Sequence, residues 1–290
     1  MSHLVSARDL SAEIEQDAER QVEGPVLVDV QWRLSSGRSA SSGPIGRPDY
    51  DAGHLPGAFF VDLDTELAGA PGEGGRHPLP EASVVQEALR RCGVGDGSRV
   101  VVYDGRESFA AARAWWVFRW AGLTDVRVLD GGLAAWQAAG LPVSTHEPQP
   151  REGDVTVRPG SLPVLDADGA AAWARRAVLL DARDPERYSG ETEPLDPVAG
   201  HVPGAVNSPT RAWVAPDGTF RRDLADHWAS VGPGTVGADE VAVYCGSGVT
   251  AAHHALALAE IGVDATLYPG SWSDWVRDPE RPVATGPTPG

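Results

Sequence analysis

Short runs of β-branched apolar residues alternate along this chain with longer alanine-rich stretches. "RVVVY" (Arg99–Tyr103) and "EVAVY" (Glu240–Tyr244) are continuous rather than alternating, the pattern of strands buried on both faces. "SFAAARAWWVFRWAG" and "VTAAHHALALAEIG" have helical composition and end on Gly, a common helix stop. Strand and helix segments in alternation predict a parallel sheet covered by helices, an α/β fold.

The pattern occurs twice. "VLVDVQW" (Val26–Trp32) returns as "VLLDARD" (Val178–Asp184), and "AGHLPGAFFVDLD" (Ala52–Asp64) as "AGHVPGAVNSPT" (Ala199–Thr210). The strand and helix of Arg99–Gly122 return as Glu240–Gly262, and "DVRVLDGGLAAWQAAGLPV" (Asp125–Val143) as "DATLYPGSWSDWVRDPERPV" (Asp264–Val283). Four segments match in the same order, with His54 and His201 separated by 147 positions. One period fills half the chain, so this is domain duplication and not a solenoid. The expected organisation is an N-terminal domain over 1–143, a linker over 144–160, a second domain over 161–284 and a tail over 285–290. The linker segment "STHEPQPREGDVTVRPG" is rich in Pro and charge and breaks the periodicity.

In such sheets ligands sit beyond the carboxyl ends of the strands. Cys245 stands there, in "VYCGSGVTA", at a strand-to-helix corner. The N–H groups of Gly246 to Thr250 can curl into a cradle that favours an anion. A cysteine beside it is expected to be a thiolate, with Gly246 and Gly248 supplying unusual φ and close approach. The matching residue of the first copy is Asp104, which implies that only the second copy kept the chemistry. Cys92, in "ALRRCGV", reads as a small buried hydrophobe.

Composition narrows the field. Lys+Arg number 24, all of them Arg, against 41 Asp+Glu, a net charge of −17. That surface repels phosphate backbones and anionic membranes, so neither nucleic acid nor membrane is an expected partner. No apolar run approaches the length of a membrane span, and "MSHLVSARDLSAEIEQDAER" lacks a secretory signal pattern. Two cysteines make no disulfide framework, and the expectation is a reduced, cytoplasmic protein. No Cys/His cluster has metal spacing. "GSGVTA" also fits a dinucleotide fingerprint, but Asp264 precedes its strand instead of ending it. A phosphatase loop needs an Arg after the nucleophile, and here Ala251 and Ala252 follow.

"HLPGA", "HVPGA", "VYCGSGVTA" and "YPGSWSDW" resemble the tandem-domain rhodanese sulfurtransferases, over roughly residues 4–284. The loop Cys245-Gly246-Ser247-Gly248-Val249-Thr250 is similar to that of the 3-mercaptopyruvate sulfurtransferases; the thiosulfate-using branch carries two basic residues in place of Gly246 and Ser247. The resemblance implies two α/β domains, a catalytic Cys245 persulfide and an Asp–His–Ser relay. Asp64 and His77, both expected in the first domain, would serve Ser247, with Asp62 a competitor for Asp64. It further implies Arg187 as a carboxylate clamp and Trp32 as a pocket wall. A second clamp Arg is missing from "ETEPLDPVAG", which keeps thiosulfate open as donor. Arg113 matches a family position without a derivable role, and His54 and His201 are expected to brace turns.

With no cation in the loop itself, mercaptopyruvate is the expected donor and thiosulfate the alternative. A thiol, thioredoxin or cyanide is the expected acceptor. No metal or organic cofactor is implied. A persulfide carrier without turnover is the alternative of another class.

Overall fold

The computed structural model describes residues 2–33, 44–231 and 240–290. The chain forms two compact units. The first comprises Met1–Ala68, Pro80–Ser161 and Pro216–Phe220; the second comprises Gly69–Leu79, Leu162–Ala215 and Arg221–Gly290. This differs from a simple cut at the linker. Gly69–Leu79, which lies inside the first repeat, packs with the second unit. The segment expected as a linker lies along the first unit: Gly153 N–H donates to Arg90 O (2.9 Å), Val155 N–H to Val94 O (3.1 Å), and Val155 is buried.

The first unit carries β1 (Leu4–Val5), β2 (Val26–Asp29), β3 (Phe59–Phe60), β4 (Val100–Tyr103) and β5 (Val126–Leu129). They form one parallel sheet in the order β1-β5-β4-β2-β3. The second carries β6 (Val178–Asp181), β7 (Val206–Asn207), β8 (Val241–Tyr244) and β9 (Ala265–Leu267), parallel in the order β7-β6-β8-β9. Val164 adds a parallel bridge to Leu267 where β1 pairs β5 in the first copy. Both units are therefore parallel sheets flanked by helices.

The continuous apolar runs are explained by burial on both faces: every residue of β2, β4, β6 and β8 is buried. Helices that are apolar nearly all round are sunk into the core. Ala110–Phe118 is buried throughout the helix Phe109–Trp120, and Ala251–Leu258 throughout the helix Val249–Glu260. Each such Leu, Val or aromatic side chain removed from water contributes on the order of 1.5–3 kcal/mol.

The duplication extends to single hydrogen bonds. Tyr103 OH accepts Leu55 N–H at 2.9 Å, and Tyr244 OH accepts Val202 N–H at 3.1 Å. His54 stacks on Tyr50 (3.9 Å) and its Nδ1 meets Tyr50 O; His201 stacks on Tyr188 (3.8 Å) and its Nδ1 meets Tyr188 O. The two histidines brace their turns, and His201 thereby steadies the short helix that carries Arg187.

Candidate active site

In the second unit β8 ends at Tyr244, and Cys245 follows directly in the loop that opens the helix Val249–Glu260. Cys245 is buried, and the Gly248 N–H donates to its Sγ at 3.1 Å. Loop and thiol are fixed from below by the "GSWSDW" segment. Ser271 Oγ accepts the Cys245 N–H (3.1 Å) and lies 4.0 Å from Sγ. Trp272 N–H and Ser273 N–H donate to the carbonyls of Cys245 and Gly246, each at 2.9 Å. Ser271 holds this place at φ 55, a left-handed conformation costly for a non-glycine residue and typical of functional corners.

The two loop glycines answer different needs. Gly248 sits at φ +81, and a Cβ there would lie 2.3 Å from Pro269 O. Gly246 lacks a positive φ, and its lack of a side chain leaves space that two guanidiniums approach instead. A Cβ on Gly246 would stand 3.1 Å from Arg76 Nη2 and 3.3 Å from Arg187 Nη1. Val249 is buried and Thr250 half-buried at the start of the helix.

The loop itself carries no cation, but these two guanidiniums reach it from other segments of the chain. The family resemblance implied Arg187, whereas Arg76 was not singled out. Arg76 lies on Gly69–Leu79, a segment that packs with the second unit, about 120 positions before "ETEPLDPVAG". A hydrogen bond from Arg76 N–H to Ser273 Oγ (3.0 Å) ties the segment to "GSWSDW", and Gly69 N–H to Pro78 O (3.0 Å) closes the segment on itself. The only signal in the chain was the adjacency of Arg76 to His77.

The same segment brings His77 to the loop. His77 Nδ1 lies 2.8 Å from Ser247 Oγ. His77 thus packs with the unit that contains Ser247, and not with the first domain where the repeat boundaries put it.

Acidic residues surround the guanidiniums. Arg187 is bonded to Glu193 (Nη2–Oε1 2.6 Å, Nε–Oε2 3.2 Å) and to Asp196 (Nη2–Oδ2 3.3 Å). Arg76 Nη1 is paired with the other oxygen of Asp196. Behind them the buried Arg183 is chelated by Asp181 and reaches Glu193 at 3.3 Å. Burial, helped by Glu193, raises the Asp196 carboxyl, and the two guanidiniums only partly oppose this.

The first unit shows what the corner does with a fixed anion. Asp104, at the position of Cys245, accepts four backbone N–H groups: Arg106 (3.0 Å), Ser108 (3.0 Å), Ala110 (3.0 Å) and Ala111 (3.3 Å). Burial raises its carboxyl, and these N–H donors oppose that. The cradle of the first copy is filled by its own side chain.

Also in the first unit, Trp32 Nε1 donates to Asp64 Oδ1 at 2.8 Å. Asp62 is buried and accepts Thr65 Oγ1 at 2.7 Å. Arg113 is fully buried with Nε donating to Leu67 O at 3.1 Å, a core-tethering contact. Cys92 is buried, and burial pushes its thiol up to about 12. Among the described residues no group of His, Cys, Asp and Glu is arranged to hold a metal ion, and no helix is long and apolar enough to cross a membrane.

The rhodanese-like domain model matches residues 7–139 and again 166–278, and the chain belongs to that family. It is 46% identical over 98% of its length to a Mycobacterium tuberculosis protein named "Putative thiosulfate sulfurtransferase SseB", covering 97% of that protein. It is 43% identical over 82% of its length to a Pseudomonas aeruginosa protein named "Probable 3-mercaptopyruvate sulfurtransferase", covering 86% of it. Among solved structures, the 3-mercaptopyruvate sulfurtransferase SseA of Escherichia coli superposes with a TM-score of 0.76 at 29% identity, over 94% of this chain and 100% of that one.

Proposed function

We propose that this protein is a sulfurtransferase that takes sulfur from 3-mercaptopyruvate, holds it as a Cys245 persulfide and passes it to an acceptor thiol or to cyanide. The observation that carries the donor assignment is the 2.8 Å contact between His77 and Ser247, two residues beyond the cysteine.

Cys245 thiolate attacks the sulfur of the donor. The S–S bond forms as the C–S bond breaks, and the bonding pair moves to the methylene carbon as the enolate of pyruvate. That carbon needs a proton, and the donor thiol must lose one. Ser247 and His77 together supply a path from the one to the other. The products are pyruvate and Cys245–S–S⁻, with atoms and charge in balance. The Gly248 N–H, already directed at Sγ, and its neighbours in the cradle stabilise the anionic sulfur. Arg187 and Arg76 receive the donor's carboxylate. Asp64 and Trp32 we assign to the relay and the pocket wall on the family pattern.

An acceptor thiol such as that of thioredoxin, or cyanide, then removes the outer sulfur, which makes the kinetics ping-pong. Both cysteines are free, and the compartment we propose is the cytoplasm.

Thiosulfate is the second reading. It is favoured by the two guanidiniums over Gly246 and by the name of the Mycobacterium tuberculosis relative. The ratio of kcat/KM for the two donors decides between them. A ratio in favour of mercaptopyruvate that collapses in Ser247→Ala supports the first. An unchanged ratio in that variant supports the second.

A further inference from the structure

The acidic stretch that replaces a clamp arginine places Asp196 between the two guanidiniums that face the loop. Its side chain is only 4% exposed, and each oxygen takes a different arginine: Oδ1 takes Arg76, and Oδ2 takes Arg187 at 3.3 Å. Its backbone N–H donates to Glu193 Oε1 at 3.2 Å, so the short loop has little freedom to withdraw the carboxylate. Asp181, Arg183, Glu193, Arg187, Asp196 and Arg76 form one connected network with equal numbers of formal positive and negative charges. The anion site beside Gly246 therefore has two guanidinium forks but no excess charge.

A site of that kind recognises by shape more than by charge. A planar carboxylate with one negative charge matches a guanidinium fork. A dianion gains twice the Coulomb energy from any excess positive charge and loses twice as much when that charge is cancelled. We infer that Asp196 is a specificity-determining positioning residue: it ties Arg76 to Arg187 and cancels one of their charges, so that the pair takes a monoanionic carboxylate donor in preference to a dianionic one. The inference rests on the sulfurtransferase reading above, and its test separates the two.

The kcat/KM values for mercaptopyruvate and thiosulfate are measured for wild type, Asp196→Asn and Asp196→Glu. The Asn variant should raise the thiosulfate-to-mercaptopyruvate ratio by about tenfold, chiefly through a lower KM for thiosulfate. The Glu variant, which keeps the charge, should retain the wild-type ratio. A parallel loss with both donors, or an unchanged ratio in Asp196→Asn, would overturn the inference. Equilibrium binding of pyruvate and of sulfate to the wild-type protein gives an independent reading: pyruvate should bind more tightly, and tighter sulfate binding contradicts the inference even if the variants do not fold. Absence of turnover with both donors, combined with tighter pyruvate binding, would remove the proposed function while leaving the role of Asp196 standing.

Discussion

His77 Nδ1 and Ser247 Oγ stand 2.8 Å apart although 170 positions separate them in the chain. The contact links the segment Gly69–Leu79 to the loop that holds Cys245, within one compact unit. A histidine at hydrogen-bond distance from a serine next to a buried thiol has the geometry of a proton-transfer pair.

Ser247→Ala is expected to lower mercaptopyruvate turnover by roughly 10²–10⁴ and thiosulfate turnover far less, because only the first donor needs a proton at carbon. His77→Ala should reproduce the effect. The double variant should be no worse than either single one, since groups that act as a unit are not additive. Steady-state kinetics with both donors check this; multiplied losses in the double variant would separate the two residues.

Arg76→Ala should raise KM for mercaptopyruvate with a smaller effect on kcat, as loss of a binding contact does. Gly246→Ala should act in the same direction, because its Cβ would stand 3.1 Å from Arg76 Nη2 and the guanidiniums would have to give way. Gly248→Ala should be far more damaging. It forces a Cβ to 2.3 Å from Pro269 O at φ +81 and displaces the N–H that meets Sγ. Donor titrations of the three variants, with circular dichroism to check the fold, test the ranking.

Much of this was legible in the chain, and the limits have physical reasons. The repeated strand–corner–helix pattern placed Cys245 and Asp104 at equivalent corners because continuous apolar runs and Gly stops are local signals. Ser247 lies in the loop at that corner, whereas Arg187 was implied by the family resemblance alone. Arg76 was missed, and His77 was put in the wrong compact unit, because Gly69–Leu79 is tethered to the "GSWSDW" segment by long-range hydrogen bonds such as Arg76 N–H to Ser273 Oγ. Nothing in its own composition records that partner. The close approach of two guanidiniums to Gly246 was likewise invisible, since both come from segments distant in sequence.

Cys92 should behave as core. Its thiol is buried and pushed up to about 12, so alkylation of the native protein at neutral pH should spare it. Cys92→Ala should leave sulfur transfer intact at a stability cost on the order of 1 kcal/mol. Peptide mapping after iodoacetamide treatment is the check; rapid labelling of Cys92 in the folded protein would contradict its burial.

His254 should make the fold acid-sensitive. It is fully buried beside Trp213, and burial, helped by His227, pushes its pKa from 6.5 down to about 3. Between those values the unfolded chain binds a proton that the folded chain does not, so stability falls as pH falls, by up to about 1.4 kcal/mol per pH unit from this group. Asp29, raised to about 7 by burial, acts in the opposite sense: its contribution declines as pH rises from 3.8. Urea unfolding from pH 6 to 4 should therefore show His254→Leu gaining stability relative to wild type as pH falls, and a pH-independent difference between the two proteins would contradict the assignment.

The central claim is that Cys245 carries sulfur as a covalent intermediate. Intact mass after brief treatment with mercaptopyruvate, followed by peptide mapping, tests it most directly. The protein should gain one sulfur, about 32 Da, on the peptide containing Cys245. Cyanide should remove it, and Cys245→Ser should never acquire it. An unchanged mass with both mercaptopyruvate and thiosulfate, or a label that maps to Cys92, would contradict the account.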